Sequence, residues 1–197
     1  FLAALGRGDK VETCRTGIAR LDAIGAGIGV QNGPVGVAHG CDPGVVFAPH
    51  VETSAGVILP DDYIAAMAAA AHDVGALMVL DCIASGCAWV DMRALGVDVL
   101  ISAPQKGWSA SPCAGLVMMS ARAEARLAET QSDSFAIDLA KWYSIMKAYE
   151  NGGHAYHATM PTDGLVKFRR TMEEMEITGF DTLKSQQIEL GRRVRAL

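Results

Sequence analysis

Lys106 is the only lysine between Lys10 and Lys141. It stands in Ser102-Ala103-Pro104-Gln105-Lys106-Gly107-Trp108, just past an apolar run. A lysine in such surroundings can have its charge destabilised and act as an amine nucleophile toward a carbonyl carbon. Most lysines are solvated loop residues, so its company matters more than its type. Asp81 closes a second apolar run, Leu77-Met78-Val79-Leu80. It could cap a helix or turn. Otherwise an acid ending a wholly apolar strand needs a cationic partner, because burying it alone is costly. A protonated pyridine nitrogen is such a partner, and a lysine joined to an aldehyde as a Schiff base completes the arrangement used with pyridoxal phosphate. A third polar group, His50-Val51-Glu52-Thr53-Ser54, follows the apolar run Val45-Val46-Phe47-Ala48.

These residues need elements that carry them to one place. Short apolar runs read as strands buried on both faces, which predicts strands at 45–48, 77–80 and 97–101 and a fourth at 115–119. Pro60-Asp61-Asp62 opens a helix through Val74, with Ile64, Met67, Ala71 and Val74 on one face and its acids suited to the helix dipole. Gly75 stops it. A short helical turn is expected at 92–95 and a helix at 121–131. Three more helices follow at 138–150, 162–177 and 180–197, with Gly152-Gly153 and Pro161 marking the connection between the first two. Strands alternating with helices imply an α/β fold, a mostly parallel sheet flanked by helices. Ligands of such sheets bind beyond the carboxyl ends of the strands, where all three polar groups fall.

Composition removes several classes of function. Half of the 197 residues are hydrophobic and 20% are charged, which suits a well-buried globular domain rather than a disordered chain. The net charge of −5 and the lack of a basic run speak against nucleic acid or an anionic membrane as partner. The charge-free stretch 23–41 holds six glycines with Gln31, Asn32 and His39, too glycine-rich and polar for a membrane span. Phe1 to Leu5 lacks the basic start of a secretory signal, and a chain not opening on Met is expected to be processed or incomplete. Five cysteines without a CxxC pair read as reduced thiols of a cytosolic protein. Gly25-Ala26-Gly27-Ile28-Gly29 misses the dinucleotide-binding spacing and reads as a loop. His154 and His157 do not make a four-ligand zinc site, so no metal is expected. Cys82 and Cys113, which flank the Lys106 segment, read as packing residues. Trp142, Tyr143, Met146 and Tyr149 form a stripe at helical spacing, expected in a core or a dimer contact.

Four segments carry a more specific signal. Asp81-Cys82-Ile83-Ala84-Ser85 followed by Ser102-Ala103-Pro104-Gln105-Lys106-Gly107 resembles the cofactor segment of class V aminotransferases, the alanine–glyoxylate and serine–glyoxylate group. His50-Val51-Glu52-Thr53-Ser54-Ala55-Gly56 resembles that family's H-x-E-[TS]-S-x-G segment, and the stretch from Tyr156 through Thr159 to Pro161 resembles its Y-x-x-T-x-P loop. The motifs occur in the family's order.

The resemblance implies the large domain of the aspartate-aminotransferase fold type, with pyridoxal 5'-phosphate as cofactor. It implies a homodimer with shared active sites and transamination between a small amino acid and an oxo acid such as glyoxylate or pyruvate. On it, Lys106 forms the Schiff base and, once freed, moves the proton between Cα and C4′. Asp81 holds the pyridine nitrogen protonated and Ile83 packs on a ring face. Thr53 or Ser54 bonds near the phenolic oxygen, with Ser54 the preferred match, and Gln105 sits toward the phosphate. Tyr156 and Thr159 reach the phosphate of the neighbouring subunit's cofactor.

The family's glycine/serine-rich phosphate loop, its ring-stacking aromatic and its carboxyl-terminal lobe with the substrate arginine have no counterpart here. The chain is therefore expected to be the central part of a longer protein. Residues 1–44 would be a poorly matched glycine-rich segment, 45–179 part of the cofactor-binding domain, and 180–197 a linker helix. Two other readings stay open: lyase or desulfurase chemistry on the same fold, and a non-catalytic, cofactor-free dimerisation or binding module.

Overall fold

The structure, a computed structural model, describes residues 44–197. The expectations for the glycine-rich opening, with the loop at 25–29 and the thiols Cys14 and Cys41, lie outside the described residues. Eleven elements follow in order: β1 (Val45–Pro49), β2 (Val51–Glu52), β3 (Val57–Ile58), α1 (Asp61–Asp73), β4 (Leu77–Asp81), β5 (Val99–Ser102), β6 (Leu116–Met119), α2 (Ala121–Ala128), α3 (Leu139–Glu150), α4 (Thr162–Thr178) and α5 (Phe180–Arg195).

Four strands form one sheet in the order β1-β4-β5-β6. The pairs β1–β4 and β4–β5 are parallel, with Val45 opposite Leu77 and Val79 opposite Val99. β6 runs antiparallel to β5, so the fourth strand enters against the direction of the other three. No helix intervenes between β5 and β6, and a strand that returns without a crossover can only pair antiparallel. The sheet is mostly parallel, as the apolar runs imply.

Burial explains why those runs lack an inside–outside alternation. On β4, Met78 and Leu80 join Val46, Ala48 and Leu100 in a core covered by Ile64, Met67, Ala68 and Ala71 of α1. Leu77 and Val79 point the other way, into a second core with Val99 and Ala123 of α2. Both faces of the central strand are therefore dry, and each such buried side chain contributes about 1.5–3 kcal/mol.

The amino edge of the sheet is tied by Asp98, which is 3% exposed. Its carboxylate accepts from Met78 N at 2.9 Å, from Ser120 Oγ at 3.0 Å and from His72 Nε2 at 2.7 Å. Val97 N meanwhile donates to Met92 O, closing the turn expected near 92–95. Residues 97 and 98 are thus committed to a turn and a polar clamp, which is why the strand predicted from 97 starts at Val99. The helix predicted over 121–131 ends at Ala128, where Glu129 N turns back to Arg126 O.

The segment after β1 folds into a small hairpin, β2–β3, reversed through Gly56 at φ 66°. Sequence reading saw only a polar stretch there, because two-residue strands are too short to show periodicity. The stripe on α3 is split within one chain: Trp142 and Tyr143 are half-buried, while Met146 and Tyr149 are 60% and 58% exposed. Among the described residues no helix is long and apolar enough to cross a membrane.

Candidate active site

Three parallel strands deliver their carboxyl ends to one edge, and backbone hydrogen bonds lace those ends together. His50 N donates to Asp81 O at 2.8 Å, and Cys82 N to Ile101 O at 2.8 Å. Asp81, the last residue of β4, thus stands between the segments that follow β1 and β5. Its Oδ1 accepts from Ile83 N at 2.9 Å, which orients the carboxylate and fixes Ile83 two residues on. Asp81 Oδ2 makes no hydrogen bond among the described residues, so one carboxylate oxygen remains for a cationic donor.

Lys106 follows β5 in a tight turn. Lys106 N donates to Ala103 O at 3.4 Å, Ser109 N to Lys106 O at 3.0 Å, and Ala110 N to Pro104 O at 2.9 Å. Ser109 has φ 55°, the one non-glycine residue at positive φ among the described residues, and such backbone strain gathers where a site needs a fixed geometry. Lys106 and Gln105 are both exposed, and the lysine's Nζ makes neither ion pair nor hydrogen bond among the described residues.

The segment 82–89 packs against this turn. A methyl group built on Gly107 would lie within 2.5 Å of the Gly86 carbonyl carbon and closer still to its oxygen, so the two backbones touch. Cys87 Sγ lies 3.7 Å from Gly107 O, and Trp108 Nε1 donates to Ser102 Oγ at 3.3 Å. Sequence reading gave no role to Gly86 or Gly107, since a close approach between two distant glycines leaves no local signal.

Beneath the edge lies a buried pair. His50 is 3% and Ser85 4% exposed, and His50 Nδ1 and Ser85 Oγ are hydrogen-bonded at 2.7 Å. Burial holds the His50 imidazole below its usual pKa, with Asp61 opposing the shift and Lys184 adding to it. The folded protein thus resists a proton that the unfolded chain accepts. Stability is full above the unfolded histidine pKa of about 6.5 and is lost as pH falls through the lower folded value. Melting temperature should drop between pH 7 and pH 5, and H50Q should flatten that slope. An unchanged slope in the variant would rule the pair out as its source.

Thr53 and Ser54 occupy the exposed turn of the β2–β3 hairpin. Ser54 donates to Glu52 Oε1 through both N (2.9 Å) and Oγ (2.6 Å), which lowers the Glu52 pKa. The Ser54 hydroxyl proton is therefore spent within the hairpin, while the Thr53 hydroxyl has no partner among the described residues. Tyr156 OH and Thr159 Oγ1 are hydrogen-bonded to each other at 3.1 Å in the loop between α3 and α4, and Tyr156 is 76% exposed. No hydrogen bond joins either to Asp81 or Lys106. The fold therefore brings Asp81, Ile83, Gln105 and Lys106 to one edge and presents Tyr156 and Thr159 as a separate outward pair.

The thiols near the site are not activated. Burial pushes Cys82 up to about 11 and also raises Cys87, so both are protonated at neutral pH. His157 Nε2 donates to Phe135 O at 2.7 Å, and its ring packs against Phe135 and Trp142. An open cleft beside the site is lined by Trp89, Asp91, Trp108, Phe180 and Lys184, and contains neither Asp81 nor Lys106.

Comparison with known proteins places the fold in a family. The chain is 30% identical over 155 residues to an alanine–glyoxylate aminotransferase of Oryctolagus cuniculus, an alignment covering 77% of this chain and 38% of that protein. It is 30% identical over 131 residues to a 2-aminoethylphosphonate–pyruvate transaminase of Paraburkholderia phymatum, covering 66% and 33%. Its fold superposes on the crystal structure of an alanine–glyoxylate aminotransferase from Nostoc sp. with a TM-score of 0.64 at 25% identity, over 73% of this chain and 37% of that one. The chain thus spans between a third and two fifths of the length of these relatives. A sequence profile of the family described as aminotransferase class-V matches residues 40–196, and the chain belongs to that family.

Proposed function

We propose that this chain is the cofactor-binding part of a cytoplasmic, homodimeric transaminase that moves an amino group between a small amino acid and an oxo acid such as glyoxylate or pyruvate. Residues 45–179 make up its cofactor-binding domain, and 180–197 a helix leading onward. The observation that carries this is the placement of Asp81 at the end of β4 and Lys106 in the turn after the neighbouring β5, with the segments in backbone contact through Gly86 and Gly107.

The donor set fits pyridoxal phosphate, the cofactor of the family. Bound there, it supplies an aldehyde that condenses with amines and a ring that accepts the electron pair released at Cα. Lys106 Nζ, without an ion-pair partner among the described residues, holds the cofactor and takes and returns the proton at Cα. Asp81 Oδ2 keeps a proton on the pyridine nitrogen. Ile83 would cover a ring face, the Thr53 or Ser54 hydroxyl would bond near the phenolic oxygen, and Gln105 would sit toward the phosphate. Tyr156 and Thr159, paired and exposed, suit a phosphate in the neighbouring subunit. The exposed aromatic and apolar side chains Phe135, Met146 and Tyr149 suit the surface between the subunits. Desulfurase chemistry needs a reactive thiolate, and Cys82, held protonated by burial, does not supply one.

Intact mass before and after borohydride reduction, with the modified peptide mapped, tests the reading. A pyridoxyl-phosphate adduct on Lys106 is the expected result, together with a dimer mass by light scattering. No adduct after added cofactor would replace the enzyme with a non-catalytic module of the same fold. A monomer mass would remove the shared site.

A further inference from the structure

Helix α5 does more than lead away from the domain. Its Phe180, Lys184 and Gln187, spaced to share one helix face, all meet the segment 85–89 that follows Asp81. Gln187 Nε2 donates to Ser85 O at 3.0 Å, and Gln187 Oε1 accepts from Cys87 N. One side-chain amide thus bonds the backbone on both sides of Gly86. Lys184 Nζ donates to Trp89 O at 2.8 Å, and Phe180 packs edge-on against Trp89 at 5.5 Å. Gly86 sits at φ 58°, and an added Cβ there would collide with the Gln187 amide, its oxygen nearest. The Gly86 carbonyl is the group that Gly107 touches, one residue from Lys106. At its other end the segment is anchored by the Ser85–His50 hydrogen bond.

We propose that Gln187 is a positioning residue: through the 85–87 backbone it sets the Lys106 turn relative to Asp81. Gln187 makes no hydrogen bond to either residue, so it acts only through the segment between them. The inference rests on the cofactor role proposed for Lys106 and Asp81 and adds a residue that the motifs do not contain. Its physical basis is that an amine and an acid engaging opposite ends of one ring must be held to within a fraction of an ångström. Asp81 is fixed at the end of β4 by its strand neighbours, whereas Lys106 lies on a turn beyond β5, and the place of that turn is set by what bridges it to the segment after Asp81. Removing the amide would leave Cys87 N–H without its partner, leave Ser85 C=O with only its bond from Ala88 N, and loosen the Gly86–Gly107 contact.

The test uses the full-length protein loaded with pyridoxal phosphate, comparing wild type with Q187A, Q187E and the neighbouring surface control Q186A. Two readouts are taken: the cofactor dissociation constant, and the pH midpoint of the visible absorption of the lysine-bound cofactor. Q187A should weaken cofactor binding about tenfold, the order expected for two lost hydrogen bonds. It should also move the midpoint by roughly half a pH unit, because the groups facing the cofactor have shifted. Q187E keeps the size and the acceptor for Cys87 N but loses the donor to Ser85 O. It should fall between wild type and Q187A, and it carries the test if Q187A does not fold. Q186A should match wild type. A change in melting temperature alone, with both readouts unmoved in Q187A and Q187E, would overturn the proposal and leave the functional reading standing. Wild type that takes up no cofactor on Lys106 would take both down.

Discussion

Replacing Lys106 by alanine is expected to abolish transamination while leaving the fold intact. Lys106 is exposed, and its amine makes no hydrogen bond or ion pair among the described residues, so its removal costs the folded state little. A change in stability within about 0.5 kcal/mol is expected, as for other surface substitutions free of structural partners. The loss of function is of another order. Removing the group proposed both to hold the cofactor and to move the proton should lower kcat by at least about 10³–10⁴-fold, the range for a positioned acid–base group alone. K106R would not rescue it, since a guanidinium keeps the charge but is not an amine that can lose a proton near neutral pH. Turnover within tenfold of wild type in K106A would remove Lys106 from the chemistry.

The second large effect needs no side chain at the site. Gly107→Ala puts a methyl group within 2.5 Å of the Gly86 carbonyl carbon, and what it meets is backbone rather than the movable end of a side chain. The two segments must part by an ångström or so. Forcing packed backbone apart costs about 2–4 kcal/mol, which for a chain of this size lowers Tm by roughly 5–15 °C. The same displacement carries Lys106 away from Asp81, so cofactor binding should fail in the population that still folds. K106A and G107A would thus both lack activity for separable reasons, the first with an unchanged melting temperature and the second with a lowered one. A G107A protein that melts as wild type and takes up cofactor normally would show that the Gly86–Gly107 contact is not rigid.

The two variants also separate what local sequence encodes from what it does not. Asp81 and Lys106 are legible because each ends or follows an apolar run, and a charged residue at the end of a buried strand is a local signal. The positions of α1 and β4 are legible for the same reason. Thirteen helical residues, Asp61–Asp73, open on two acids and end before Gly75, and a fully apolar strand advertises burial on both faces. The direction of β6 is not legible in its own four residues and follows only from the helix-free connection that precedes it. Nor is the hydroxyl that Ser54 gives to Glu52, which depends on a hairpin of two-residue strands.

The sequence by itself determined a mostly parallel α/β fold, its two buried faces, and the edge at which an acid and an amine stand, where the chemistry is proposed. These follow from hydrophobic patterning and from the cost of burying a lone charge, both of which act over a few residues. Tertiary structure alone decided how the acid and the amine are held in register. His50 with Ser85, Gly86 against Gly107, and Gln187 across the backbone of residues 85–87 join parts of the chain 35, 21 and about 100 residues apart. Contacts of that kind are made by the closing of the fold. Glycine and glutamine show no pattern before it closes, because a glycine has no side chain to bury and a surface glutamine is equally content in water.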